Sequence, residues 1–233
     1  MNNILTQYRQ ELEHELEEIL SFWIKYTIDN EWGGFYGKID NENYIYTEAA
    51  KGSVLNSRIL WTFSAAYNLT KNINYLHTAT RAFNYIRNHF IDKEFGGVYW
   101  SVDFKGEPLD TKKQVYALSF AVYGMSEYYS CSKNEEAKEL AIALYNAIVK
   151  YSYDDINGGY FEAFRRDWKE IGDMRLSSKD VNEKKSMNTH LHVLEGFANL
   201  YRVWADKDLF QKITDLLNIF LNHSLYVLFC CKR

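Results

Sequence analysis

The chain has 233 residues, with 27 Lys and Arg against 31 Asp and Glu, for a formal net charge of −4. That balance excludes the basic footprint of a nucleic-acid or anionic-membrane binder, and 47 % hydrophobic with 25 % charged residues excludes a disordered chain. No apolar run reaches the roughly 20 residues of a bilayer-spanning helix, and the acidic, amphipathic start MNNILTQYRQELEHELEEIL is not a secretory signal.

The three cysteines, Cys131, Cys230 and Cys231, have no metal-type spacing, so a reduced, cytoplasmic setting is expected. The single proline, Pro108, fits long helices, which exclude proline. Aromatic residues make up 17 % of the chain. Such a load suits a large core, and it also suits a cleft in which flat rings pack on sugar faces.

In chain order, three copies of one pattern appear: an amphipathic helix, a D-x-x-x-G-G loop followed by aromatics, and a more apolar helix. The first helix repeats Leu12, Leu16, Ile19, Leu20, Trp23 and Ile24 at steps of three and four. It leads into Asp29–Gly33-Gly34-Phe35-Tyr36. The second, through Tyr75, Ala79, Ala82, Phe83, Ile86 and Phe90, leads into Asp92–Gly96-Gly97-Val98-Tyr99-Trp100. The third, through Ala137, Leu140, Ala141, Leu144, Ala147 and Ile148, leads into Asp154–Gly158-Gly159-Tyr160-Phe161. The first glycines are 63 and then 62 residues apart. Gly-Gly is expected to end each helix through positive φ. Asp40 and Asp103 follow the first two glycine pairs at one spacing, where the third copy has Arg165. The recurrent Asp29, Asp92 and Asp154 read as loop-capping residues.

A helix apolar on nearly every side follows each loop, roughly Ser53–Asn68, Lys113–Tyr129 and Met187–Trp204. One-faced helices outside and all-round apolar helices inside make two concentric layers. The pattern predicts an all-α toroid of the (α/α)6 type built from helical hairpins, incomplete at about three and a half of six hairpins. A seventh helix, roughly Lys207–His223, opens the next pair. The chain then reads SLYVLFCCKR, without the fourth loop that is due. Residues 1–223 are thus expected to form a partial α/α-barrel domain and 224–233 a hydrophobic tail. The alternative is a short protein whose open edge pairs with another copy.

Polar residues on the inner helices need reasons. Arg58 follows Lys51 on one side of the first, with Trp61 one turn on; an ion-pair role and a hold on a substrate oxygen are both open to it. Tyr116, Phe120, Tyr123 and Glu127 form a stripe on the second, and Tyr116 sits nearest the mouth. On the third, Asn188, His192 and Glu195 share a face. His190 points about 200° away from Asn188. A histidine with Asn and Glu neighbours suits proton transfer near neutral pH, and a core histidine is the plainer alternative. One His and one carboxylate make a weak metal site, so no metal is expected. The long charged loop from Trp168 to Ser186 is expected to shape the mouth.

The D-x-x-x-G-G repeats, the run from Lys51 through Arg58 to Trp61, the Tyr116 helix and above all M-N-T-H-L-H-V-L-E-G-F-A-N-L-Y-R-V-W resemble the N-acylglucosamine 2-epimerase superfamily, most nearly its cellobiose 2-epimerase branch. The resemblance covers about Leu5 to Leu221. It implies a cofactor-independent isomerase that inverts C2 of the reducing-end glucose of a β-1,4-linked disaccharide: cellobiose to glucosyl-mannose, lactose to epilactose. A histidine would remove the C2 proton, a cis-enediolate would form, and a second histidine would return a proton to the other face. Carried over by motif, Arg58 would hold the C1 and C2 oxygens, Tyr116 and Asn188 would bind nearby hydroxyls, and His192 would serve ring opening or hold the carbonyl oxygen. Trp61, Glu195 and His190 are further site candidates. The two proton-transferring histidines lie on later inner helices in the family. His14, His77, His89 and His223 stand on outer helices or at the end of the seventh and do not replace them.

Residues 1–233 alone are therefore expected to have little epimerase activity and to self-associate through the open edge. No nucleic acid, membrane or cofactor is expected as a partner. Three other readings stay open: an N-acylglucosamine or mannose-type epimerase or isomerase, a glycoside hydrolase on the same toroid, and a non-catalytic sugar-binding fragment.

Overall fold

The computed structural model describes residues 2–224. The 224–233 tail expected from sequence falls almost wholly outside them. Seven α-helices occur among the described residues: α1 (Asn2–Tyr26), α2 (Ser53–Thr70), α3 (Ile73–Tyr85), α4 (Val115–Ser132), α5 (Glu135–Ser152), α6 (Met187–Tyr201) and α7 (Lys207–Ile219). A π-helical turn extends α3 over Ile86–Phe90 and another extends α7 over Phe220–Ser224. No described helix is long and apolar enough to cross a membrane.

The inner helices α2, α4 and α6 pack side by side, and α3 and α5 cover them from outside. Phe63 of α2 meets Tyr75 of α3, Phe83 of α3 stacks on Tyr128 of α4, and Tyr145 of α5 packs edge-on against Phe197 of α6. The inner helices approach closely because glycine faces backbone at each crossing. A Cβ on Gly124 would lie 2.7 Å from the Ser57 carbonyl oxygen, and one on Gly196 the same distance from that of Ser119. A methyl group there would push the helices apart.

Short connections fix each hairpin. The α2–α3 and α4–α5 turns are both Lys-Asn. Lys71 and Lys133 take the left-handed conformation that ends one helix, and Asn72 and Asn134 cap the next through their side-chain oxygens.

The long connections are the D-x-x-x-G-G loops. The preceding helical segments end at Tyr26, Phe90 and Ser152, ahead of the aspartates, so the helix stop is not at Gly-Gly as the sequence suggested. The glycines instead close a small hairpin. Its ends pair as Ile28 with Phe35, Ile91 with Val98 and Tyr153 with Tyr160. Each aspartate Oδ1 accepts the N–H groups two and three residues on. Its other oxygen takes a lysine that stands two residues before an inner helix. Lys51 meets Asp29 at 2.6 Å, Lys113 meets Asp92 at 2.8 Å, and Lys185 meets Asp154 at 2.5 Å. The loop after each outer helix is thereby pinned to the start of the next inner helix.

Two small antiparallel sheets sit at those starts. One has strand order β1 (Lys51–Gly52), β2 (Ser101–Val102), β3 (Pro108–Asp110), with the lone proline on an edge strand; the other pairs β4 (Lys113–Gln114) with β5 (Ala163–Phe164).

Candidate active site

The inner-helix faces turned away from α3 and α5 carry the side chains that the core does not absorb. Arg58 of α2 is exposed, although its helix neighbours Ser57 and Ile59 are buried. Its guanidinium lies 5.0 Å from the Phe120 ring centroid and makes no ion pair among the described residues. The ion-pair role left open by sequence is therefore not observed. Lys51 does not share its surroundings: it is fully buried on Asp29, and it also donates to the Gly33 carbonyl oxygen at 2.8 Å.

Phe120 is the hinge of the cluster. The His192 ring lies 4.5 Å from it, the Tyr116 ring lies 5.0 Å from it, and Tyr116 meets His192 edge-on at 4.8 Å. Arg58, Tyr116 and His192, from three successive inner helices, are thus gathered on one aromatic platform. Phe120 belonged to the predicted stripe and, at 4 % exposed, combines core burial with this contact.

His192 Nδ1 lies 2.6 Å from Glu195 Oε2. A carboxylate that only accepts takes its bond from Nδ1–H, so in the neutral imidazole Nε2 keeps its lone pair. The imidazole is held one-sidedly, with Nε2 left for another group. A neutral imidazole with a free Nε2 accepts a proton or a hydroxyl bond; an unpaired guanidinium holds an oxygen that bears negative charge.

The remaining candidates are placed elsewhere. Trp61 stacks on Tyr123 with centroids 5.0 Å apart, one turn beyond Arg58, and its buried Nε1–H has no partner. Asn188 is exposed one turn before His192 and lines a cavity of about 260 Å3 with Glu162, Met174, Arg175, Asp180 and others between α6 and the loop before it. His190 leaves the candidate set. It is 5 % exposed, its Nε2 accepts the Tyr160 N–H at 2.9 Å, and its Nδ1 donates to the Ser186 carbonyl oxygen at 2.6 Å. Burial holds it below the ordinary imidazole range. It fastens the third glycine loop to α6 because its side of the helix faces the hairpin.

The predicted mouth loop is tied to α4. Gln114 Nε2 donates to the Arg175 carbonyl oxygen at 2.9 Å and to that of Met174 at 3.3 Å. Glu127 is occupied at the far end of α4, where it accepts from Asn68 at 2.7 Å and Arg202 at 3.0 Å. The two inner-helix carboxylates are therefore bound to Asn68 with Arg202 and to His192. Among the described residues no group of three or more His, Cys, Asp and Glu side chains is placed to hold a metal ion.

Sequence reasoning missed the lysine partners and Glu162. The lysines carried a signal: Lys51, Lys113 and Lys185 each stand two residues before an inner helix. Glu162 stood out as a charge inside the run Tyr160-Phe161-Glu162-Ala163-Phe164.

Layered helical hairpins around a polar, aromatic face define a protein of the α/α-toroid class. The profile of the N-acylglucosamine 2-epimerase (GlcNAc 2-epimerase) family matches residues 34–225, and the chain belongs to that family. It is similar to the cellobiose 2-epimerase of Bacteroides fragilis, with 50 % identity over 218 residues, 93 % of this chain and 56 % of that protein. Among solved structures, cellobiose 2-epimerase from Bacillus thermoamylovorans B4167 superposes with a TM-score of 0.87 at 40 % identity, covering 95 % of this chain and 56 % of that one. A D-mannose isomerase with a TM-score of 0.75 and 22 % identity, covering 89 % of this chain and 49 % of that one, shares the fold. The chain spans about half the length of the relatives it matches.

Proposed function

We propose that these residues form one wall of a carbohydrate 2-epimerase site that takes the reducing-end glucose of a β-1,4-linked disaccharide such as cellobiose or lactose. The observation that carries this reading is the unpaired Arg58 guanidinium on the same phenylalanine ring as the His192 imidazole.

The chemistry asks for those groups. A C2 proton beside a carbonyl is weakly acidic, and its removal puts negative charge on the C1 and C2 oxygens of a cis-enediolate. A fixed cation beside those oxygens stabilises the enediolate more than the neutral sugar, which is where catalysis is gained. Arg58 is that cation. His192, with Nδ1 held by Glu195, turns Nε2 to the ring or carbonyl oxygen and serves ring opening. Tyr116 bonds a neighbouring hydroxyl, and Asn188 bonds another at the rim. Trp61 and Tyr123 extend the platform. The resemblance gives the exchange of the C2 proton to two further histidines, so the groups described here are read as binding and polarising the sugar.

The test is an assay of residues 1–233 with lactose in D2O, read for epilactose and for deuterium at C2. The reading expects lactose binding with turnover far below that of the Bacteroides fragilis relative. Epimerisation at the rate of that relative would contradict the division of roles, and release of free galactose and glucose would contradict the reaction class.

A further inference from the structure

We propose that Glu162 is a positioning residue: it sets the starts of α4 and α6 against each other, and so places Tyr116 opposite His192 and Asn188. The inference rests on the reading of those three as sugar-facing groups.

Glu162 reaches both helices through all of its polar groups. Its carbonyl oxygen accepts the Val115 N–H, the first residue of α4, at 2.9 Å, and its own N–H donates to the Lys184 carbonyl oxygen at 3.0 Å. Its side chain closes the start of α6. Oε1 accepts the Ser186 N–H at 2.6 Å and Oε2 accepts the Thr189 hydroxyl at 2.5 Å. Ser186 is the N-cap of α6, and its hydroxyl oxygen accepts the Thr189 N–H. Tyr116 follows Val115 directly, Asn188 lies between the two clamped residues, and His192 is one turn beyond Thr189. One residue therefore spans the gap across which Tyr116 and His192 meet edge-on at 4.8 Å.

The carboxylate is 4 % exposed and has no ion-pair partner among the described residues; the nearby Lys185 is taken by Asp154. Two hydrogen bonds and the positive end of α6 are its compensation. Burial raises the Glu162 carboxyl above its ordinary range, opposed by the bonds from Thr189 and Ser186. The preceding repeat shows that this is not a demand of the fold. There the residue in the same place is Trp100, 62 positions earlier, whose carbonyl oxygen accepts the Ser53 N–H at 3.1 Å. The backbone bond repeats, while the buried carboxylate appears where the next inner helix carries Asn188 and His192.

The experiment compares residues 1–233 with E162Q, E162A and T189V by NMR, following the Tyr116–His192 ring contact, the Asn188 side-chain amide and the thermal midpoint, with and without cellobiose. Glutamine keeps an acceptor for Ser186 and a partner for Thr189, so E162Q should retain the ring contact. E162A should lose the contact and weaken any cellobiose response of Asn188 and His192 about tenfold, the order of one lost bond to a charged group, while the Trp61–Tyr123 stack keeps its signals. T189V removes one of the two side-chain bonds and should loosen the contact partway, which keeps the test open if E162A does not fold. An undisturbed ring contact in E162A, or in T189V where E162A is unfolded, would overturn the proposal. Absence of any cellobiose response in the parent chain would refute the sugar reading instead, because the ring contact is read without ligand.

Discussion

His192 and Glu195 stand one turn apart on α6 with Nδ1 and Oε2 separated by 2.6 Å. The carboxylate fixes which ring nitrogen holds the proton, and that choice decides what the imidazole can do toward a sugar. The 15N shifts of His192 above its titration range should show a protonated Nδ1 and a bare Nε2. E195A should move the ring toward the Nε2–H tautomer, the preferred form of an unconstrained imidazole. A parent chain with the proton on Nε2 would remove the basis for its role.

The buried Asp–Lys pairs predict a ranked series of stabilities. Asp29 and Lys51 are both 1 % exposed, whereas Lys185 is 26 % exposed on Asp154. Burial works to raise the Asp29 carboxyl, and the bonds from Lys51 and from the Trp32 and Glu31 N–H groups overcome it. Asp92 keeps a second cation, Arg166 at 2.9 Å, when Lys113 is removed. K51M should therefore cost the most, about 3–5 kcal/mol for a charge left buried alone, with K113M and K185M costing less. The double variant D29N/K51M should recover part of the loss. Urea unfolding of the four variants checks this; equal losses for K51M and K185M would show that burial does not set the order.

His190 predicts an acid-side loss of stability. Burial lowers its affinity for a proton in the folded chain, against the favourable bond to the Ser186 carbonyl. The unfolded chain then binds the proton more tightly, so stability rises with pH in this window. The contribution is complete above the unfolded value of about 6.5 and fades as pH falls through the lower folded one. Urea midpoints of the parent chain should drop on acidification from neutral pH, and H190Q should flatten that slope. An unchanged slope in H190Q would assign the acid sensitivity to other groups.

Much of the architecture was legible because it repeats. The glycine pairs 63 and 62 residues apart marked the hairpins, and the contrast between one-faced and all-round apolar helices separated the two layers. The helix stops were misplaced because positive φ was assigned to a helix end, whereas Asp29, Asp92 and Asp154 begin a hairpin that the glycines close. Arg58, Tyr116 and His192 stood out as side chains on the inner helices that needed a reason, and their sugar-facing roles came from the resemblance of their motifs. Their meeting on Phe120 could not be read from spacing, because it depends on how closely Gly124 and Gly196 let three helices approach. Lys51 was misread for a related reason: proximity to Arg58 in sequence said nothing of Asp29, which reaches it from a loop 22 residues away.

The most direct test is one NMR titration of residues 1–233 with cellobiose that follows the Arg58 side-chain N–H and the His192 ring together. Both signals should move along a single saturation curve, while the ring of His190 stays still. Saturable cellobiose binding that leaves either Arg58 or His192 unmoved would contradict the reading of both as sugar-facing groups.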